Sequence, residues 1–203
     1  MLATLWAALL APAFTAFGSP TSWLELVAFV LAVWMVICNM RVNPLAWPLA
    51  FISSLMYFGF FWDGKLYGEA ALQLVFAALA VWGWWQWRFG RTREGAVLTV
   101  RRLGLQGLIR PALLTLAAWP LLGLFLAKVT DSPLPYWDAF PTVASLLGQW
   151  LLARKYEENW PTWIVVNVFS VVLFGLKGYW LTVILYAGFI PMSVIGWRAW
   201  RKA

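Results

Sequence analysis

The chain has 203 residues, 63% of them hydrophobic and 11% charged, with a formal net charge of +7. Soluble domains carry about 25% charged residues, so this composition belongs to a polytopic membrane protein, and loop placement explains the positive charge better than nucleic acid does. With no His and one Cys, Cys38, a disulfide framework, a Cys/His metal cluster and a His-based catalytic triad are excluded.

A helix needs roughly 17–25 apolar residues to cross a bilayer. Residues 1–21 are expected to be a peripheral N-terminal segment. Its apolar part, 2–17, is short, contains Pro12 and has no Lys or Arg before it, so it makes a poor signal peptide. An interfacial or peripheral helix is expected there. Seven apolar segments follow: 22–40, 45–62, 67–87, 110–128, 138–153, 160–176 and 179–197. They divide the chain into a three-helix unit (22–88), a cytoplasmic basic loop (89–109), a linker helix (110–128) and a second three-helix unit (138–202). The loop 89–109 is polar and Arg-rich and carries no packing signal. It is expected on the surface, drawn to anionic lipid headgroups. Asp131, Pro133 and Pro135 mark 129–137 as a turn-rich connection.

The basic residues test the count of seven. Arg41, Arg88, Arg91, Arg93, Arg101, Arg102, Arg110, Arg154, Lys155, Arg198, Arg201 and Lys202 all fall on one side of a seven-span chain. Only Lys65, Lys128 and Lys177 fall on the other. Twelve against three puts the N-terminus outside and the C-terminus in the cytoplasm. An even count would scatter the clusters over both faces.

One motif occurs twice. Gly83-Trp84-x-x-Trp87-Arg88 recurs as Gly196-Trp197-x-x-Trp200-Arg201, an offset of 113 residues, and the register runs back ungapped to Trp47-Pro48 and Trp160-Pro161. Ten of the forty-two aligned positions are identical, three of them Trp, which chance rarely matches. The offset pairs segments one to three with five to seven and leaves the fourth alone. An odd connector between two three-helix units makes the units parallel. The expected fold is all-α: seven transmembrane helices arranged three, one, three.

Polar side chains at membrane depth face a cavity or a partner. Those available are Gln73, Gln149 and Asn167, the serines 53, 54, 145 and 170, and the phenols of Tyr57 and Tyr186. The offset pairs Ser54 with Asn167 and Gln73 with Tyr186, so the two halves would bring polar groups to one central site. Gln73 and Asn167 either line a solute path or make interhelical hydrogen bonds. Glu25 and Asp138 also pair, each at the outer start of its half. Each is either an outer gate or a carboxylate favoured at a helix N-terminus. Pro120, Pro141 and Pro191 are interior and would kink helices. Pro111 and Pro161 sit near starts, where proline is tolerated. Trp84, Trp87, Trp197 and Trp200 lie beside Arg and are assigned to the interfacial aromatic belt. Trp160, Trp163 and Asn167 share a helix face at i, i+3 and i+7. They form either a further piece of belt or a slot that stacks a flat, cationic ring and bonds its polar edge.

These residues resemble the PnuC-type vitamin transporter family over about 22–202. The resemblance is carried by Leu72-Gln73 with Trp82-Gly83-Trp84-x-x-Trp87, and by Asn159-Trp160-Pro161-Thr162-Trp163 with Asn167. Lys177-Gly178-Tyr179 and Leu185-Tyr186 continue it. Trp82 stands where the family more often has Tyr. The resemblance implies a SWEET-like bundle, uptake of nicotinamide riboside by facilitated diffusion across a bacterial inner membrane, trapping by a cytoplasmic kinase, and a homotrimer. It carries substrate-binding roles onto Trp160, Trp163, Asn167, Gln73 and Tyr186. No cofactor and no metal are expected; the small-molecule partner is a vitamin, with thiamine the alternative substrate. An integral-membrane enzyme is disfavoured, since such enzymes gather His or acidic clusters at a membrane face and this chain has only Glu157-Glu158 as an adjacent acidic pair.

Overall fold

The computed structural model describes residues 8–16, 19–63, 67–92, 94–178 and 180–202. Seven α-helices of 18 residues or more stand among them: α1 Trp23–Met40, α2 Ala46–Asp63, α3 Tyr67–Phe89, α4 Gly104–Val129, α5 Pro135–Ala153, α6 Asn159–Leu176 and α7 Trp180–Trp200. They lie over the seven apolar segments. By length and composition α4, α6 and α7 are long and apolar enough to cross a membrane, and α1 and α2 hold the shorter apolar stretches Leu26–Met40 and Ala46–Gly59. Large apolar side chains stay exposed along them, Leu114 (72%) and Leu121 (68%) of α4 among the most, as a lipid-facing surface requires.

The helix ends repeat. Adding 113 to α2 gives 159–176, which is α6 residue for residue. The starts of α3 and α7, 67 and 180, and the ends of α1 and α5, 40 and 153, keep the same offset. So do the turns. After α1, Asn43 N–H donates to Cys38 C=O (2.9 Å) and Val42 N–H to Asn39 C=O (3.1 Å). After α5, Tyr156 N–H donates to Leu151 C=O (2.9 Å) and Lys155 N–H to Leu152 C=O (3.0 Å). Both are Schellman closures, and both put a non-glycine residue in the left-handed region, Val42 at φ 53° and Lys155 at φ 56°. Glycine usually fills this position, which is why sequence pattern alone did not mark it.

The N-terminal segment departs from expectation. Residues 8–10 are helical, but β1 Pro12–Ala16 pairs antiparallel with β2 Ser19–Ser22, so the helix does not run on to residue 17. Pro12 and Pro20 lack the amide a helix interior needs, and Thr15 and Thr21 are β-branched. Residues 1–7 and 17–18 lie outside the described residues.

The chain forms two compact units, Met1–Val81 and Trp82–Ala203, and the last turns of α3 belong to the second. In the first, α1 packs on α2, and Leu24 and Ala28 of α1 and Ala46 and Trp47 of α2 are buried. In the second, α4 packs on α5, α5 on α6 and α6 on α7. Gly123 admits Tyr136: a Cβ there would collide with the ring. Trp119 Nε1–H donates to the Tyr136 carbonyl (2.7 Å). An aromatic chain then ties three helices, with ring centres 5.3 Å apart for Trp119 and Phe140, 4.4 Å for Phe140 and Phe169, and 4.8 Å for Phe169 and Trp137.

The basic loop is also corrected. Its end, 104–109, is already helix, so Pro111 lies inside α4 and not at its start. Leu98 is 2% exposed, and a Cβ on Gly90 would meet it at 2.6 Å. Arg101 N–H donates to Lys155 C=O, and Glu157 N–H donates back to Arg101 C=O, both at 3.0 Å. The loop is therefore stitched to the α5–α6 turn. Arg93 lies outside the described residues.

Candidate functional site

Trp160, Trp163 and Asn167 all stand on α6, between α5 and α7. Trp160 turns toward α7. It is 2% exposed, a Cβ on Gly196 would come within 2.5 Å of its ring, and it meets Trp200 edge-on at 5.6 Å. Its indole N–H is buried without a partner among the described residues. Trp163 turns toward α5, where a Cβ on Gly148 would lie 3.0 Å from its ring. The two indoles share a helix face and wedge against glycines on different neighbours. Asn167 is 3% exposed, and its Nδ2 donates to Ser193 Oγ of α7 at 3.4 Å. Ser170, one turn on, is buried too. The middle of the α6–α7 contact thus holds an amide and two hydroxyls in an otherwise apolar setting.

Tyr186 of α7 is half-buried and stacks on Phe174 of α6, ring centres 5.4 Å apart and 10° from parallel. Phe189 meets it edge-on at 6.1 Å. Four of the five expected binding residues therefore belong to the second unit. The fifth, Gln73, is half-buried on α3 in the first. Of the two expected gates, the side chain of Glu25 lies outside the described residues, as do Lys65 and Tyr179. Asp138 is engaged: Lys177 Nζ and Ser132 Oγ both donate to its carboxylate. That ion pair joins the first turn of α5 to the end of α6, so Asp138 is a partnered group at a helix N-terminus.

The doubled Trp motif splits its two indoles between two environments, in both copies alike. Arg88 lies over Trp84 at 5.8 Å, and Arg201 over Trp197 at 5.5 Å. Trp84 is exposed and fits an aromatic belt. Trp87 and Trp200 do not. They are 5% and 2% exposed and their ring centres lie 6.2 Å apart, while Trp87 Nε1–H donates to Leu152 C=O at 3.0 Å. Assigning them to the belt fails because Trp serves cores and interfaces equally well, and only packing separates the two.

A basic clasp adjoins these indoles. Lys155 donates to Leu98 C=O (2.9 Å) and lies 5.3 Å from the Trp87 ring centre. Burial pushes its ammonium pKa below the usual value. Glu158 accepts from Leu103 N–H and Gly104 N–H, at 3.0 and 2.8 Å, and so caps the N-terminus of α4 from far along the chain. Pattern reading also passed over Ser193 and Gly148, whose roles show only once α6 is packed. An apolar groove of about 390 Å³ opens on the other side of α6, lined by Trp137, Val165, Val168 and Val172. It offers no polar group to a vitamin and suits lipid.

The α6–α7 contact thus buries an amide and two Ser hydroxyls between apolar helices. Residues 22–202 match the model of a family described as nicotinamide mononucleotide transporter. The chain belongs to this family. It is 30% identical to the riboflavin/roseoflavin transporter RibM of Streptomyces davaonensis, over 93% of this chain and 89% of that protein. It is 28% identical to the nicotinamide riboside transporter PnuC of Escherichia coli K12, covering 90% and 87% of the two chains. A crystal structure described as the vitamin B3 transporter PnuC matches with TM-score 0.72 and 25% identity, over 89% of this chain and 81% of that one. The protein is thus a multi-pass membrane transporter of the PnuC type.

Proposed function

We propose that the chain takes up nicotinamide riboside across a bacterial inner membrane by facilitated diffusion. The observation that carries this reading is the α6 stripe, where Asn167 is buried one turn beyond Trp163 and held to Ser193. Trp163 supplies a stacking face for a pyridinium ring, and Asn167 an amide for its carboxamide or ribose. Tyr186 adds a phenol from α7. Passive transport is supported by the acidic residues: none of the eight lies mid-helix, where coupling carboxylates normally sit. A cytoplasmic kinase then traps the substrate, and the protein works as a homotrimer. The bundle is three, one, three and SWEET-like, with its N-terminus outside. The Val97→Cys variant in the basic loop should then resist impermeant thiol reagents in intact cells, and labelling there would reverse the orientation.

Riboflavin is the second reading, supported by the 30% identity to RibM. Uptake of labelled nicotinamide riboside, riboflavin and thiamine into proteoliposomes separates the substrates. Without any ion gradient, nicotinamide riboside should equilibrate fastest. Preference for another vitamin, or a need for a proton or sodium gradient, would overturn the corresponding part of the proposal.

A further inference from the structure

Asp138, Thr142, Ser145 and Gln149 are spaced 4, 3 and 4 residues apart on α5. At 100° per residue they fall within about 60° of one another, in a single stripe along the helix. The equivalent positions of the first half, 113 residues earlier, are Glu25, Phe29, Ala32 and Val36. Beyond the first residue, the stripe belongs to the second half alone. All four side chains are half-buried, so the stripe runs along a border of the packed core.

Its members differ in how their bonding capacity is used. Asp138 is satisfied by Lys177 and Ser132. Thr142 Oγ1–H donates to the Asp138 carbonyl at 3.0 Å, the local bond that hydroxyls make in apolar helices. Gln149 is different. Its Oε1 is buried with no hydrogen-bond partner among the described residues. A buried carbonyl without a donor is costly in an apolar helix, and polar side chains at that depth face a cavity or a partner. The terminal torsion of Gln is broad, so small rotations offer either the carbonyl or the NH₂. The neighbouring residue, Gly148, is the one on which the Trp163 ring rests.

We propose that this stripe lines the solute path and that Gln149 is an additional substrate-contacting residue, accepting from a carboxamide or sugar hydroxyl of a neutral-edged polar vitamin. The proposal rests on the transport reading above. It places a ladder of hydroxyl and amide groups from the Asp138–Lys177 pair toward Gln149, beside the stacking face of Trp163.

The test uses the full chain in proteoliposomes, with Cys38→Ala removing the only native thiol. The Ser145→Cys variant should react with a small hydrophilic thiol reagent, and nicotinamide riboside should slow that reaction. The Val168→Cys variant, on the apolar groove, should stay unreactive. In detergent, Gln149→Leu should weaken nicotinamide riboside binding about tenfold, the loss of one hydrogen bond to a buried polar group, with the unfolding midpoint unchanged. Ser145→Cys reacting no faster than Val168→Cys, or Gln149→Leu binding like wild type, would overturn the proposal. Should Gln149→Leu fail to fold, the labelling decides alone. A wild-type chain that binds neither nicotinamide riboside nor riboflavin would sink the transport reading, while the labelling of Ser145→Cys, which needs no substrate, would still decide the path.

Discussion

Between α1 and α2 the chain turns through Cys38–Trp47, and between α5 and α6 through Leu151–Trp160. The backbones of the two turns share their closing bonds, down to a left-handed residue at Val42 and Lys155. Their side chains do not match. In the second turn Lys155 reaches Leu98, Glu157 pairs with Arg102 at 3.5 Å, and Glu158 caps α4. In the first, the residues at the positions of Lys155 and Glu158 are Val42 and Leu45, the latter 55% exposed. A duplicated unit has kept its geometry and specialised its chemistry. The second copy anchors the linker and holds the buried polar groups Asn167, Ser170 and Ser193. At the matching positions the first copy has Ser54, Tyr57 and Ala80.

The largest effect should come where the copies agree. Trp87→Ala and Trp200→Ala each open a hole in the same buried contact, worth about 3–5 kcal/mol for an aromatic core residue. Trp84→Ala, on the exposed side of the same motif, should cost under about 0.5 kcal/mol. Unfolding in detergent followed by tryptophan fluorescence checks this. Equal losses for Trp84 and Trp87 would mean the motif is all belt. The next effect should come where the copies differ. Trp163→Ala and Asn167→Ala should raise the Kd for nicotinamide riboside about ten- to hundredfold, a loss of about 1–3 kcal/mol. Ser54→Ala should change it less than about threefold. Calorimetry showing the larger loss at Ser54 would move recognition to the first half.

Much of this was legible in the chain, for identifiable reasons. Hydropathy locates helices in a membrane protein because the bilayer penalises any backbone group left unbonded. The seven apolar segments therefore predicted helices, and the helix bounds keep the 113-residue offset that the Trp motifs announced. Pattern failed where the deciding force is packing. Trp87 and Trp84 are the same residue in the same motif, and only the neighbour Leu152 separates core from belt. Residues 89–109 read as solvated because Leu98 and Gly90 are single apolar points among arginines. The closures at Val42 and Lys155 were hidden because they use no glycine. Trp160 and Trp163 share a stripe in sequence, yet Gly196 and Gly148 draw them to different helices.

The Glu158 cap gives a mid-sized test of the specialised turn. Glu158→Ala strands two backbone donors at the start of α4, for about 1.5–3 kcal/mol, since the lost acceptor is charged. Leu45→Ala, its counterpart, should stay within about 0.5 kcal/mol. Thermal unfolding of the two variants in detergent compares them. A Leu45 loss as large as the Glu158 loss would show the first turn to be an anchor as well.

The smallest effect is the most discriminating, because its sign should differ between the copies. Val42 and Lys155 occupy the same left-handed position, which costs an L-residue about 1–2 kcal/mol and a β-branched one at least that. Glycine removes the strain and returns about 0.5–1 kcal/mol of it as extra freedom in the unfolded chain. Val42→Gly should therefore stabilise by about 0.5–1 kcal/mol, raising the unfolding midpoint by about 1–4 °C for a chain of this size. Lys155→Gly relieves the same strain but also removes the bond to Leu98 C=O and the ammonium over Trp87. A charged hydrogen bond contributes about 1.5–3 kcal/mol and a cation over an aromatic face about 0.5–1. Lys155→Gly should thus destabilise by about 1 kcal/mol or more. If both variants gained stability alike, the Lys155 contacts would be contributing nothing, and the two turns would differ in sequence without differing in what they do.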